Sequence, residues 1–141
     1  MKFWLVKQEP IKYSWEQLVK DKVTGWDGVR NYQARNNLKA MKLGDLLLFY
    51  HSVVGKEVQG VARVSKEFYQ DPTTTDLRWV AVSIKPVKKL SRPVTLEEIK
   101  NHPKLQNIPL VKQSRLSVLP ITKSAFNAIL ELGNTHLEDF N

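Results

Sequence analysis

The chain contains no cysteine among its 141 residues. That excludes disulfides, thiol nucleophiles and any zinc or iron–sulfur site built on thiolates. No apolar run approaches the length of a membrane span, and Met1-Lys2-Phe3-Trp4-Leu5-Val6-Lys7 is interrupted too soon for a secretory leader. The expectation is an intracellular, cytoplasmic, soluble protein with no membrane partner. Histidine is scarce, and His51, His102 and His136 stand at no ligand spacing, so no metal is expected. His102 and His136 lie in polar surface stretches. His51 closes an apolar run and could face a cavity, but no nucleophile motif accompanies it. Gly25 and Gly28 lack the spacing and the lysine of a phosphate cradle. Glu97 and Glu98 open a helix, where the macrodipole accounts for them. Neither an enzyme nor a cofactor is expected.

What is abundant is positive charge: 22 Lys plus Arg against 14 Asp plus Glu, a net +8. The charge is spread along the chain rather than blocked into a tail, so it describes a folded basic surface that attracts polyanions, nucleic acid above all. With 42% hydrophobic and 26% charged residues the composition is that of an ordinary globular protein. No repeat or linker divides it, and residues 1–141 read as one domain with its own core.

Phe3 to Val6 reads as a buried strand that Pro10 stops. Ser14-Trp15-Glu16-Gln17 has capping-box spacing and opens a short helix. Ala34, Leu38 and Met41 place a second helix from Tyr32 towards Gly44. Asp45 to Ser52 reads as a strand, and Val58 to Tyr69 as its hairpin partner, with Gly60 marking a bulge or a close approach. Arg78 to Val87 and Ser114 to Leu119 read as further strands. Thr95 with Glu98 forms another capping box, and Thr122 caps a last helix that closes at Gly133, followed by a loosely docked tail. Intermingled short elements favour an α+β fold: a curved, mostly antiparallel sheet or small mixed barrel flanked by helices.

One stretch departs from both periodicities. Trp26-Asp27-Gly28-Val29-Arg30-Asn31-Tyr32-Gln33-Ala34-Arg35-Asn36 concentrates groups that stack on a flat ring and hydrogen-bond its edge. Trp26 can supply the face; Asn31, Ser52 and the backbone at Gly28 can supply the edge; Arg30, Arg35 and Arg115 can neutralise phosphates. Two readings compete with this. Trp26 also reads as a half-buried core tryptophan, and Asn31 as the N-cap of the Tyr32 helix. Trp4, Trp15 and Trp79 sit in periodic apolar contexts and belong to the core.

These residues also carry a resemblance. Phe3 to Pro10, Trp26 to Asn36, Gly44-Asp45-Leu46 with Phe49-Tyr50-His51-Ser52, Gly60-Val61-Ala62 and Arg115-Leu116-Ser117 resemble, in order, the successive motifs of the EVE domain family of the PUA-like superfamily. The resemblance implies a small PUA-like mixed barrel and a pocket for a modified nucleobase, related to the pocket in which YTH domains hold methylated adenine. It makes Trp26 an aromatic wall with Gly28, Val29 and Asn31 at the rim. Lys7 and Gln8 then end the first strand, Tyr50, His51 and Ser52 floor the pocket, and Arg115 with Ser117 closes it. Phe68 or Tyr69 falls where a second wall is found. Gln8 stands where a small serine is frequent in the family, and its longer amide changes which base edge is accepted or fills the pocket.

The expectation is thus a non-enzymatic module that binds DNA or RNA bearing a modified, for example methylated, base. The alternative is a nucleoside-binding or protein-interaction module using the same pocket; an enzyme with His51 as base ranks third. On this reading Trp26→Ala removes base-specific binding and leaves the fold in place.

Overall fold

The computed structural model describes residues 1–137. Its elements run β1 (Phe3–Gln8), α1 (Trp15–Asp21), β2 (Thr24–Trp26), α2 (Tyr32–Ala40), β3 (Leu46–His51), β4 (Glu57–Gln70), β5 (Val80–Thr95), α3 (Leu96–Lys100), α4 (Pro109–Lys112), β6 (Val118–Ile121) and α5 (Lys123–Leu132). The strands form one six-stranded sheet in the order β2-β5-β4-β3-β1-β6. The α+β class and the mostly antiparallel sheet hold. The sheet is not closed: β2 and β6 are its edges, so it is a curved open sheet rather than a hydrogen-bonded barrel.

Among the described residues β1 and β3 form the one parallel pair, flanked by antiparallel neighbours β6 and β4. Strands covered on both faces read as continuous apolar runs, and Phe3 to Val6 and all of Leu46 to His51 are buried. Asp45 clips their starts together, accepting from Trp4 Nε1 (3.0 Å), Lys2 N (3.1 Å) and Lys42 N (3.0 Å). β4 and β5 make a long hairpin broken by register shifts, among them those between Val58 and Gly60 and between Val61 and Ala62. Such bulges bend a ladder. They also let β5 run past Pro86, which pairs opposite Ala62 at one of the shifts.

Gly60 fulfils both expectations for it. It sits at a bulge opposite Phe49, and a Cβ there would stand 2.5 Å from the Trp15 ring. Helix starts follow their caps. Ser14 accepts from Gln17 N, Asn31 from Ala34 N, Thr95 from Glu98 N and Thr122 from Ala125 N. Only Thr95 completes a capping box; at Ser14 the Gln17 side chain turns to Asp21 instead.

Several expectations need correction. α2 stops at Ala40, well before Gly44. β2 and α4 were not foreseen, and β5 continues eight residues beyond Val87, to Thr95. The last strand is Val118–Ile121 rather than Ser114 to Leu119, so Arg115 and Ser117 lie in the turn before it. The segment after Gly133 is docked: Thr135 Oγ1 accepts from Ser91 N (2.9 Å), His136 O from Lys88 Nζ (2.9 Å), and Leu137 is buried. Residues 138–141 of the expected loose tail fall outside the described residues.

Candidate functional site

Parallel pairing puts the C-terminal ends of β1 and β3 side by side, with Lys7 opposite Tyr50 and Gln8 opposite His51. The chain leaves the sheet there, and the space beyond is a cavity of about 560 Å³. Lys7, Gln8, Tyr50, Ser52, Arg115 and Ser117, all expected site residues, line it. So do Val53 and Lys56 of the β3–β4 turn, Ser114, and the apolar Leu96 and Leu110. Lys7 N donates to Ser117 O (2.9 Å) and Ser52 N to Gln8 O (2.9 Å), which fixes the Arg115 turn and the β3 exit against β1.

The lining is basic. Lys7 Nζ donates to Ser114 O (2.9 Å), and burial lowers its pKa. The side chains of Lys56 and Arg115 have no hydrogen-bond or ion-pair partner among the described residues, whereas the carboxylate Glu9 is paired with Lys12 at 3.0 Å. Tyr50 is nearly buried, and burial, seconded by the Glu57 charge, pushes its pKa up to about 12. Its phenol stays protonated at any physiological pH and offers a donor to the cavity.

Gln8 also lines a second, smaller cavity of about 260 Å³ with Trp26, Asp27, Tyr13, Thr24, Gly25 and Lys12. Gln8 Oε1 accepts from Glu9 N (3.0 Å), which leaves the amide NH₂ to donate. Asp27, between two held neighbours, is the acceptor here. Trp26 pairs with Val82 in the sheet, and Gly28 N donates to Asp71 (2.8 Å) at a φ of +75° that favours glycine. Burial, then the Asp71 charge, raises the Asp27 pKa.

Trp26 itself is 6% exposed. Its ring stands edge-on to Phe49 (5.5 Å, 80°) and to Tyr13 (6.4 Å, 83°) and belongs to the core cluster. The core reading describes most of the indole, which is packing, and what little of it is exposed lines the smaller cavity. With that burial Trp26→Ala removes packing as well as any wall, so a cost in stability accompanies it.

The other expected residues are placed differently. Asn31 caps α2 through Oδ1 (2.9 Å to Ala34 N) and borders a third, open cavity of about 360 Å³ that shares Ser114 and Arg115 with the largest. His51 is buried and its Nε2 accepts from Trp15 N (3.0 Å), so it holds the start of α1 rather than facing either cavity. Tyr69 bonds Ser83 (3.0 Å) behind β2, and Val29 is buried. Phe68 lies under Lys39 (5.5 Å), outside the cavities described above.

Arg30 is drawn inward. Its Nη1 meets the buried Asp71 carboxylate at 2.9 Å and its Nη2 meets Thr73 at 3.0 Å. Burial pushes the Asp71 pKa up, but bonds from Thr73, Arg30 and Gly28 outweigh it and hold the group at about 2. Arg35 donates to Asn36 and to Arg78 O and lies over Tyr32 at 5.0 Å. Both arginines lock the segment from Asp71 to Trp79 against α2. Trp79 is buried between the Arg30 and Arg78 guanidiniums (5.6 and 5.8 Å) and is not part of the contiguous apolar core. The cations that line the larger cavity are Lys7, Arg115 and Lys56, the last of which went unforeseen. Asp27 also went unnoticed, although it lies inside the motif next to Trp26. Among the described residues no three His, Asp or Glu stand together as a metal would need, and no helix is long and apolar enough to cross a membrane.

Comparison with known proteins gives a consistent picture. The EVE domain model matches residues 2–132. Thymocyte nuclear protein 1 of Gallus gallus is 35% identical, over 92% of this chain and 67% of its own length. The protein Rpa0253 of Rhodopseudomonas palustris superposes with a TM-score of 0.92 at 39% identity, over 100% of this chain and 99% of that one. The human THYN1 protein, solved in complex with DNA containing 5-methylcytosine, superposes with a TM-score of 0.87 at 32% identity, over 97% and 100% of the two chains. A YTH domain of Zygosaccharomyces rouxii, in complex with N6-methyladenosine RNA, shares the fold with a TM-score of 0.62 at 19% identity, over 99% and 90%.

Proposed function

The chain belongs to the EVE domain family, and from that premise we propose that it is a non-enzymatic reader of a modified base in nucleic acid. The observation that carries the reading is Gln8, a wall common to two cavities of unequal size and chemistry. The smaller suits one flat ring: Trp26 and Tyr13 are aromatic walls, Gln8 donates and Asp27 accepts, as a base edge requires. The larger, with Lys7, Lys56 and Arg115, suits the sugar and phosphate that follow. The relative solved with methylated DNA and the positive net charge support a nucleic-acid partner bearing a modified base.

His51 has its Nε2 engaged by a backbone N–H and Lys7 is tied to a carbonyl, so neither is poised as a base or nucleophile. The whole chain is read as one EVE domain. The vertebrate relatives carry the word nuclear in their name, and the location proposed is wherever the nucleic acid is: the nucleus of a eukaryotic cell, the cytoplasm of a bacterial one.

Fluorescence titration at several salt concentrations tests this. Two contacts, from Lys56 and Arg115, give a log–log salt slope of about −1.4 on a single strand, or about sevenfold weaker binding between 50 and 200 mM salt. Oligonucleotides carrying 5-methylcytosine or N6-methyladenine should bind with that slope and more tightly than unmodified ones. Equal, salt-independent binding of the free nucleoside would favour the small-molecule reading instead.

A further inference from the structure

We propose that the turn joining β3 to β4 is an apolar wedge that enters a double helix and occupies the place of an extruded base. The target is then a base in a duplex rather than in a single strand. This rests on the reading of the site given above. The turn is strained. Val54 N donates to Ser52 O (2.8 Å) across Val53, whose φ is +68°, a γ-turn of the disfavoured hand centred on a β-branched residue. Gly55 and Lys56 follow with φ of +81° and +33°.

Such a conformation persists only where its surroundings hold it, and here both ends are held. Ser52 N donates to Gln8 O (2.9 Å) on β1, and Lys56 O accepts from Leu96 N (2.9 Å) at the start of α3. The result is a short, stiff tip whose valines do not fold back onto the protein: Val53 and Val54 are 63% and 66% exposed. Val53 nevertheless borders the larger cavity, with Lys56 and Arg115 on the same lining.

Apolar side chains on a rigid tip, flanked by cations and bordering the larger cavity that Gln8 shares with the base-sized one, match what separating stacked bases needs. The tip fills the gap between base steps, and the cations hold the phosphates on either side. A base taken from a single strand leaves no gap in a duplex, so such a tip would have nothing to fill. The cations around it also set the turn apart from an apolar patch meant for a protein partner.

The test is the variant Val54→Ser, which leaves every residue lining either cavity in place. Val54 is 66% exposed and not among the positive-φ residues, so its truncation leaves the fold in place. Oligonucleotides carrying 5-methylcytosine or N6-methyladenine are compared as single strands and as duplexes with a 2-aminopurine beside the modified base, with unmodified controls. The parent should bind the duplex and raise 2-aminopurine emission. The variant should lose about tenfold or more in duplex affinity, together with the emission change, and keep its single-strand affinity within about twofold. Unchanged duplex binding, or equal losses on both forms, would overturn the wedge while leaving the reader intact. A parent that prefers no modified probe in either form would instead sink the reading on which the wedge rests.

Discussion

Trp26 is where packing and recognition meet, and substitution separates them. The indole is 6% exposed and edge-on to Phe49 and Tyr13. Truncating a buried Trp to Ala costs about 3–5 kcal/mol, and two aromatic contacts place this site in the upper part of that range. At roughly 2.1 cal/mol/K per residue, unfolding entropy turns about 4–5 kcal/mol into a fall in midpoint of about 14–17 °C for this chain. Against a total stability of about 5–15 kcal/mol, Trp26→Ala is marginal, so its loss of binding is ambiguous. Trp26→Phe keeps a ring against Phe49 and should cost only about 1–2 kcal/mol, or about 3–7 °C. Scanning calorimetry on both variants, with oligonucleotide titration well below each midpoint, is the assay. The Phe variant should stay folded and bind the modified base more weakly. An Ala variant melting within about 3 °C of the parent would refute the packing described here, and would make Trp26 a free wall after all.

Three other outcomes follow from the same geometry. Gly60→Ala forces a Cβ to 2.5 Å from the Trp15 ring at a residue paired with both neighbouring strands, and should lower the urea midpoint by the equivalent of about 1–3 kcal/mol. Burial lowers the His51 pKa against the opposing charges of Glu16 and Glu57, so the folded state favours neutral imidazole. That contribution to stability is complete above the unfolded pKa of about 6.5 and is lost as pH falls below it; chemical denaturation at pH 7.5 and 5.5 should show the loss, and His51→Gln should flatten it. Asp71 works at lower pH: held at about 2, its stabilisation is complete above about pH 4 and lost as pH drops towards 2. Asp71→Asn should remove that acid transition and loosen the Arg30 turn at neutral pH, read as faster amide exchange at Gly28.

Elements governed by local chemistry were legible in the sequence. Ser14, Asn31, Thr95 and Thr122 each cap the helix they precede, because a side-chain oxygen three residues ahead of an amide needs nothing distant. β1 and β3 showed as apolar runs because both of their faces are covered. What stayed hidden depends on partners far along the chain. β2 has only three residues and exists by pairing with β5. β5 outruns Val87 because its second half pairs with β4 as far as Thr95, with a bulge accommodating Pro86, and β6 tolerates Pro120 as an edge strand.

The site divides in the same way. Lys7, Gln8, Tyr50, Ser52, Arg115 and Ser117, which the motif resemblance grouped, line one cavity, while Trp26 and His51 of the same group do not. Composition alone did not reveal that Arg30 answers to a carboxylate 41 residues away, nor that Trp26 shows the cavity only an edge. Arginine beside tryptophan reads as a nucleic-acid patch whenever the buried acid that claims it is out of view.

The most direct test of the two-cavity site is the structure of the whole chain bound to an oligonucleotide with one 5-methylcytosine or N6-methyladenine. The account predicts the modified ring in the smaller cavity against Trp26, its edge bonded to Gln8 and Asp27, and the adjoining phosphate at Lys56 and Arg115. A base bound elsewhere, with Gln8 touching neither ring nor backbone, would contradict it.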